Sequence, residues 1–359
     1  MLVELINKAK CAFDFKGGSI SKNREQRIAL TSITGLVARV VNVLSGLLTI
    51  PLTLPYLGVE QFGIWMAVTG FVAFLSFADF GLSIGLQSRL TASVAKGDKV
   101  SPKGYLSTTL CIILVLALLI STLSYYVIPT LELTKLIGLE NNENYPILEL
   151  TVQVVIYLFS IGMFGAVIQR TYEALQEGYY SNIYLIVGRL LGLGSIFIAI
   201  ELELSLPVIV ALYMGGPTVA LLLSGFPLLL KRKWLRPSLL SINTKKIKEL
   251  TGIGSLAMVA QIGAAMMSSG PLLVLTSLYG AVAIVPFAIT QRLLGVVGMG
   301  LSVILAPLWP AYGDAYARND WQWIIKTFRK SIITTVCIVF PVFIFTTLFG
   351  AEIINIWTG

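Results

Sequence analysis

The chain has 359 residues, 56% hydrophobic and only 12% charged, with 26 Lys and Arg against 18 Asp and Glu for a net charge of +8. Soluble domains carry roughly 25% charged residues, so a soluble enzyme, a disordered chain and a secreted disulfide scaffold are excluded. The apolar residues fall in blocks long enough to cross a bilayer as helices, which indicates an all-α polytopic membrane protein. There is no His, and the three Cys (Cys11, Cys111, Cys337) are far apart, so no His-based metal site, catalytic triad or zinc pair is available. No phosphate-binding loop is present: Gly192-Leu193-Gly194 and Gly298-Met299-Gly300 lie in apolar stretches, and neither completes G-x-G-x-x-G. No cofactor is therefore expected.

In chain order, residues 1–27 form a cytoplasmic N-terminal segment. Leu2, Val3, Leu5, Ile6, Ala9, Ala12 and Phe13 recur at helical spacing. This fits either a short helix on the membrane surface, ended by Gly17-Gly18, or a frayed tail. About nine transmembrane helices follow, near 28–54, 62–88, 105–129, 147–169, 181–200, 206–230, 250–277, 281–308 and 331–357. A helix needs ~20 residues to cross about 30 Å of hydrocarbon. The first six make a lobe over 28–236; the last three make a partial second lobe over 245–359.

With the N-terminus in the cytoplasm, 22 of the 26 Lys and Arg fall in inside segments, and Lys135 is the one in an outside loop. This is the positive-inside pattern, and it accounts for the net charge without nucleic acid. Lys231-Arg232-Lys233 and Lys245-Lys246-Ile247-Lys248 are expected to touch anionic lipid headgroups.

The chain repeats itself. Thr31, Ile33, Leu36, Pro51 and Leu52 recur 220 residues later as Thr251, Ile253, Leu256, Pro271 and Leu272. Gly58, Leu86, Ala95 and Asp98 recur 222 residues later as Gly280, Leu308, Ala317 and Asp320. The copies are six spans apart, so both enter the membrane in the same direction, a parallel repeat of half-transporter type. The second copy has three spans where the first has six, so the second lobe reads as incomplete, and the intact gene product is expected to be longer or the chain shortened.

Charge inside a span is costly and marks function. Arg39 and Arg292 each lie 11 residues into a span, about 16 Å deep at 1.5 Å per residue. They are expected to face a polar cavity and bind substrate; the alternative is a buried pair with an acid. Arg189, 8 residues into the fifth span, is a third candidate, within reach of headgroups. Apart from Glu149 and Glu352 close to span ends, Asp79 is the acid within the spans and neutralises at most one of the three; it serves as a structural salt bridge ahead of Arg89, as a helix–loop tie, or as a proton or sodium site. Asn42, Gln153 and Gln261 either line the same cavity or bridge helices. Pro51, Pro55, Pro271, Pro286 and Pro307 are candidate kinks.

Residues 51–65, Pro-Leu-Thr-Leu-Pro-Tyr-Leu-Gly-Val-Glu-Gln-Phe-Gly-Ile-Trp, and Phe77-Ala78-Asp79-Phe80-Gly81-Leu82 resemble polysaccharide biosynthesis flippases. These are Wzx-type O-antigen exporters of the multidrug/oligosaccharidyl-lipid/polysaccharide exporter (MOP) superfamily. The resemblance implies two lobes around a central cavity with cationic walls, where Arg39 and Arg292 match by position. It implies a flippase that moves undecaprenyl-diphosphate-linked oligosaccharide across the bacterial inner membrane, not an enzyme. The implied partners are the lipid-linked oligosaccharide, membrane lipids, and a polysaccharide polymerase with its chain-length machinery. Two rivals stand beside it: a drug/cation antiporter of the same superfamily, which needs an acidic cavity, and a polymerase-type membrane enzyme, which needs a large loop rich in acids or bases.

Overall fold

The structure, a computed structural model, describes residues 20–98, 100–131, 133, 145–305, 308, 312 and 320–358. Among these there is no strand. The helices are α1 (Ile20–Phe74), α2 (Leu82–Ala95), α3 (Ser101–Val127), α4 (Tyr145–Ala174), α5 (Gly178–Glu201), α6 (Leu206–Lys231), α7 (Thr244–Leu305) and α8 (Trp321–Thr358), with short 3₁₀ turns between. Seven are long and apolar enough to cross a membrane; α2 is the exception. The surface helix expected over residues 2–13 lies outside the described residues, as do Pro307, Lys135 and Arg318.

The nine segments read from the sequence fall on these seven helices because α1 and α7 each contain a kink. Gly58 in α1 has φ 73° and ψ 168°, and Gly280 in α7 has φ 85° and ψ 170°. Such a backbone is open to glycine and strained for any other residue. The two glycines are 222 positions apart, so the sequence repeat is also a repeat of geometry. It extends further. Asp98 accepts the N–H groups of Val100 (2.8 Å) and Ser101 (3.2 Å) ahead of α3. Asp320 accepts the N–H of Trp323 (3.0 Å) ahead of α8. Both repeat aspartates thus cap the helix that follows. The Ser101 hydroxyl and these two N–H groups hold the Asp98 carboxyl below its ordinary value.

The expected continuous span over 62–88 is broken. α1 stops at Phe74, a 3₁₀ turn covers Leu75–Phe77, and α2 begins at Leu82. Asp79 causes the restart. Its carboxylate accepts the N–H groups of Gly81 (2.8 Å) and Ser83 (3.3 Å), which a helix leaves free in its first turn. Phe80 and Gly81 carry positive φ to make the corner.

Apolar side chains do not drive helices together inside lipid, so close packing must do so. The limb of α1 beyond Gly58 is the centre of that packing: Phe62, Ile64, Trp65, Met66, Ala67 and Val68 are all buried. A helix apolar and buried on every side lies between other elements. Here it shares one core with Val152 and Val155 of α4, Ile209 of α6, and Ile284 and Val285 of α7. A second core joins Leu82, Leu86 and Leu90 of α2 to Ile113 of α3, Val167 of α4 and Leu228 of α6.

One end of the bundle is basic. Glu177, buried in the α4–α5 turn, pairs with Arg27 near the start of α1 (3.2 Å) and Arg232 just after α6 (2.6 Å). Arg170 at the end of α4 pairs with Glu173 (2.9 Å) and donates to Gln87 of α2 (3.2 Å). Glu177 satisfies two cations that would otherwise repel, and ties three chain segments together at that face.

Candidate functional site

A cavity of about 350 Å³ sits between the two limbs of α1 and helices α5, α6 and α7. Its walls carry Asn42, Trp65, Thr69, Arg189, Tyr213 and Arg292. The kink at Gly58 creates this site. Asn42 and Thr69 are 27 residues apart and would be separated by about 40 Å on a straight helix, yet they line one cavity.

Arg189 is placed by small residues. Gly188 and Gly192 flank it on α5, and a methyl group added at Gly192 would lie 2.6 Å from the carbonyl oxygen of Tyr213 on α6. At Gly188 it would lie 2.7 Å from the carbonyl oxygen of Gly216. The backbones of α5 and α6 therefore touch, as at small-xxx-small crossings. That approach sets the Arg189 guanidinium over the Tyr213 ring, 5.7 Å from its centroid. The ring in turn packs edge-on against Trp65, with centroids 5.7 Å apart and planes at 81°. A buried aromatic pair thus fixes a cation by its π-face and leaves its N–H donors for other partners.

Arg292 arrives from α7. Its Nη1 donates to the carbonyl oxygen of Gly46 on α1 at 3.0 Å. Among the described residues neither arginine forms an ion pair. The cavity holds two guanidinium groups and no carboxylate among its lining residues.

The structure brings together Arg189, Arg292 and Asn42. Arg39 lies one turn before Asn42 on α1, exposed and off the cavity wall, and Gln261 is half-buried on α7 without lining it. Of the three arginines singled out in the sequence, Arg189 and Arg292 share the cavity and Arg39 stands apart from it. Gln153 donates to Glu149 of its own helix (3.2 Å). Asp79 does not pair with Arg89, which reaches Glu249 instead at 4.0 Å. Asp79 and Ser83 line a separate cavity of about 310 Å³ that shares Met214 with the arginine cavity. Trp65, Thr69 and Tyr213 escaped sequence reasoning, since aromatic and Thr residues in apolar helices look like ordinary core. The signal for Tyr213 lay in the Gly188-x-x-x-Gly192 spacing around Arg189.

No protein-family model matches the chain, and no curated protein matches it in sequence. Solved structures match its fold. An inward-facing multidrug resistance MATE family transporter of the MOP superfamily aligns with TM-score 0.69 at 17% identity, over 98% of this chain and 75% of that one. The MATE multidrug transporter DinF-BH aligns with TM-score 0.63 at 17% identity, over 95% and 76%. A MOP superfamily transporter from Pyrococcus furiosus aligns with TM-score 0.61 at 16% identity, over 93% and 74%. Its description gives it a binding pocket of reverse polarity that suggests a different function. The chain thus shares its fold with these proteins, and its seven long apolar helices make it a multi-pass membrane protein.

Proposed function

We propose that this protein is a flippase for undecaprenyl-diphosphate-linked oligosaccharide units of a surface polysaccharide such as O-antigen, with the diphosphate held by Arg189 and Arg292. One observation carries the reading: two arginines line a single cavity inside the bundle with no carboxylate among its walls. A cation at that depth is unfavourable when the cavity is empty and is relieved when an anion enters. The guanidinium fork matches a diphosphate through paired, charge-assisted hydrogen bonds. The stronger binding of one species in one state is what a transport cycle requires. The indole of Trp65, the amide of Asn42 and the hydroxyl of Thr69 suit a sugar attached to that diphosphate. Arg39, one turn nearer the basic face, would meet the anion on its way in.

The fold alone equally suits a drug antiporter, and two of its structural neighbours are described as multidrug transporters. The cavity's charge opposes a cationic drug. The basic face is assigned to the cytoplasm of a bacterial inner membrane, where a polymerase and chain-length machinery would take the product on the other side.

Complementation of a flippase-null strain, with membrane protein levels measured in parallel, tests the reading. Arg189→Ala and Arg292→Ala should each abolish polysaccharide export at normal protein levels. Arg→Lys at either position should keep partial function, since the charge stays and the fork is lost. Normal export by both alanine variants, or efflux of a cationic dye that the alanine variants enhance, would defeat it.

A further inference from the structure

Resting on the transport reading, we infer that the first three turns of α7 are a latch between the lobes, closing the cavity toward the basic face, and that Glu249 is its bolt. These turns belong to the second lobe but are fastened across α2 and α3 of the first. Two backbone contacts bring the helices as close as they can come. A methyl group added at Gly81 would lie 2.1 Å from the carbonyl oxygen of Gly254, and one at Gly85 would lie 2.3 Å from that of Leu250. Only glycine fits at either place, and at Gly81 the φ of 70° requires it as well.

Polar contacts then fasten the seam. The Tyr105 hydroxyl on α3 donates to the Glu249 carboxylate. Arg89 on α2 donates from Nε to the Glu249 carbonyl oxygen (3.4 Å) and lies 4.0 Å from its carboxylate. Lys246 Nζ donates to the carbonyl oxygen of Ser101 (3.1 Å) and rests 4.8 Å above the Tyr105 ring. In the segment leading to α7, the N–H of Asn243 donates to Thr108 (3.2 Å) and that of Ser238 to Ser107 (3.0 Å).

The contacts are unequal. Arg89 and Glu249 are 38% and 43% exposed, so their attraction is screened and weak. The Tyr105 hydrogen bond to a charged acceptor is the strong one. Any separation of the lobes that opens the arginine cavity toward the basic face must part the contacts made by Tyr105, Arg89 and Lys246, because each joins one lobe to the other at that face. The seam joins one strong polar bond to the buried side chain of Leu250, which shares a core with Leu82, Leu86 and Leu90 of α2. Packing alone would hold two lobes together; it would not place one carboxylate under a tyrosine, an arginine and, one turn away, a lysine already committed to the opposite helix.

The test is accessibility of the cavity without substrate. In a background with Cys11, Cys111 and Cys337 replaced by Ser, a Thr69→Cys reporter is labelled with an impermeant maleimide in membrane vesicles that present the basic face to the reagent. Glu249→Gln and Tyr105→Phe should each speed labelling about tenfold, the size of one lost hydrogen bond to a charged group. Glu249→Gln combined with Tyr105→Phe should label no faster than either variant alone, because both remove the same hydrogen bond. Unchanged labelling in both single variants, at normal membrane levels, overturns the latch. Because no substrate is present, that failure is distinct from normal export by the arginine variants, which would overturn the cavity's role and leave the latch standing.

Discussion

At the scale of single residues, charge inside the bundle is handled by unusual partners. Arg292 spends one donor on a backbone carbonyl and Arg189 lies on an aromatic face. Neither partner neutralises the guanidinium, so the charge stays available to a ligand. Had Asp79 been the partner, the site would be a structural pair; its carboxylate is instead occupied with the N–H groups of Gly81 and Ser83. Tyr213 follows as a positioning residue. A cation–π contact of this kind is worth about 1 kcal/mol, which corresponds to roughly a fivefold change in affinity. Tyr213→Phe retains the ring and should leave the apparent affinity for lipid-linked substrate within about twofold of the parent. Tyr213→Leu should weaken it about fivefold, while Arg189→Ala combined with Tyr213→Leu should be no worse than Arg189→Ala alone. Additive losses in that double variant, measured by substrate-dependent protection of the Thr69→Cys reporter, would show that the ring acts on the ligand and not through Arg189.

At the scale of elements, two kinked helices set the architecture. Gly58 and Gly280 hold φ/ψ values that strain every other residue, yet a methyl group added at Gly58 would meet nothing within 4 Å. The penalty for alanine there is therefore one of backbone strain alone, about 1–3 kcal/mol. Gly46 gives the control: it is helical, and a methyl group would sit 3.9 Å from Arg292 Nη1, an ordinary contact. Thermal unfolding in detergent should show Gly58→Ala clearly less stable than the parent and Gly46→Ala equal to it or slightly more stable, since alanine favours a helix by ~1 kcal/mol. Equal stability of Gly58→Ala would mean the kink is not fixed by that residue. The repeat was legible in the sequence as matched identities at 58/280 and 98/320, though not what they do. The kink and the helix cap appear only once backbone angles and hydrogen bonds are known. The break between α1 and α2 was hidden because an apolar run with one Asp reads as a single span, and the two N–H groups that Asp79 accepts are backbone, invisible in a residue pattern.

At the scale of the whole molecule, depth and charge were readable while facing was not. Arg39 and Arg292 look alike in the sequence, each at mid-run. A helix turns 100° per residue, so depth does not say which side chain meets the cavity. The cavity wall depends on how α1 folds at Gly58 and on how closely α5 meets α6. Orientation, by contrast, is a property of summed charge. Arg27 and Arg232 are bound to Glu177, and Arg170 to Glu173, at one face. Lys231, Lys246 and Arg89 belong to the same end through Tyr180, Tyr105 and Glu249. Glu201 closes α5 after 24 residues that begin at Gly178, and therefore stands about 36 Å away at 1.5 Å per residue. Such asymmetry of Lys and Arg orients a chain with its basic end in the cytoplasm. In intact cells, with the native cysteines replaced by Ser, an impermeant maleimide should label Glu201→Cys directly. It should reach Lys96→Cys and Lys231→Cys only after the membrane is permeabilised. The reverse pattern would invert the molecule, place the Glu249 latch on the outer side, and turn the proposed export of a lipid-linked anion into import.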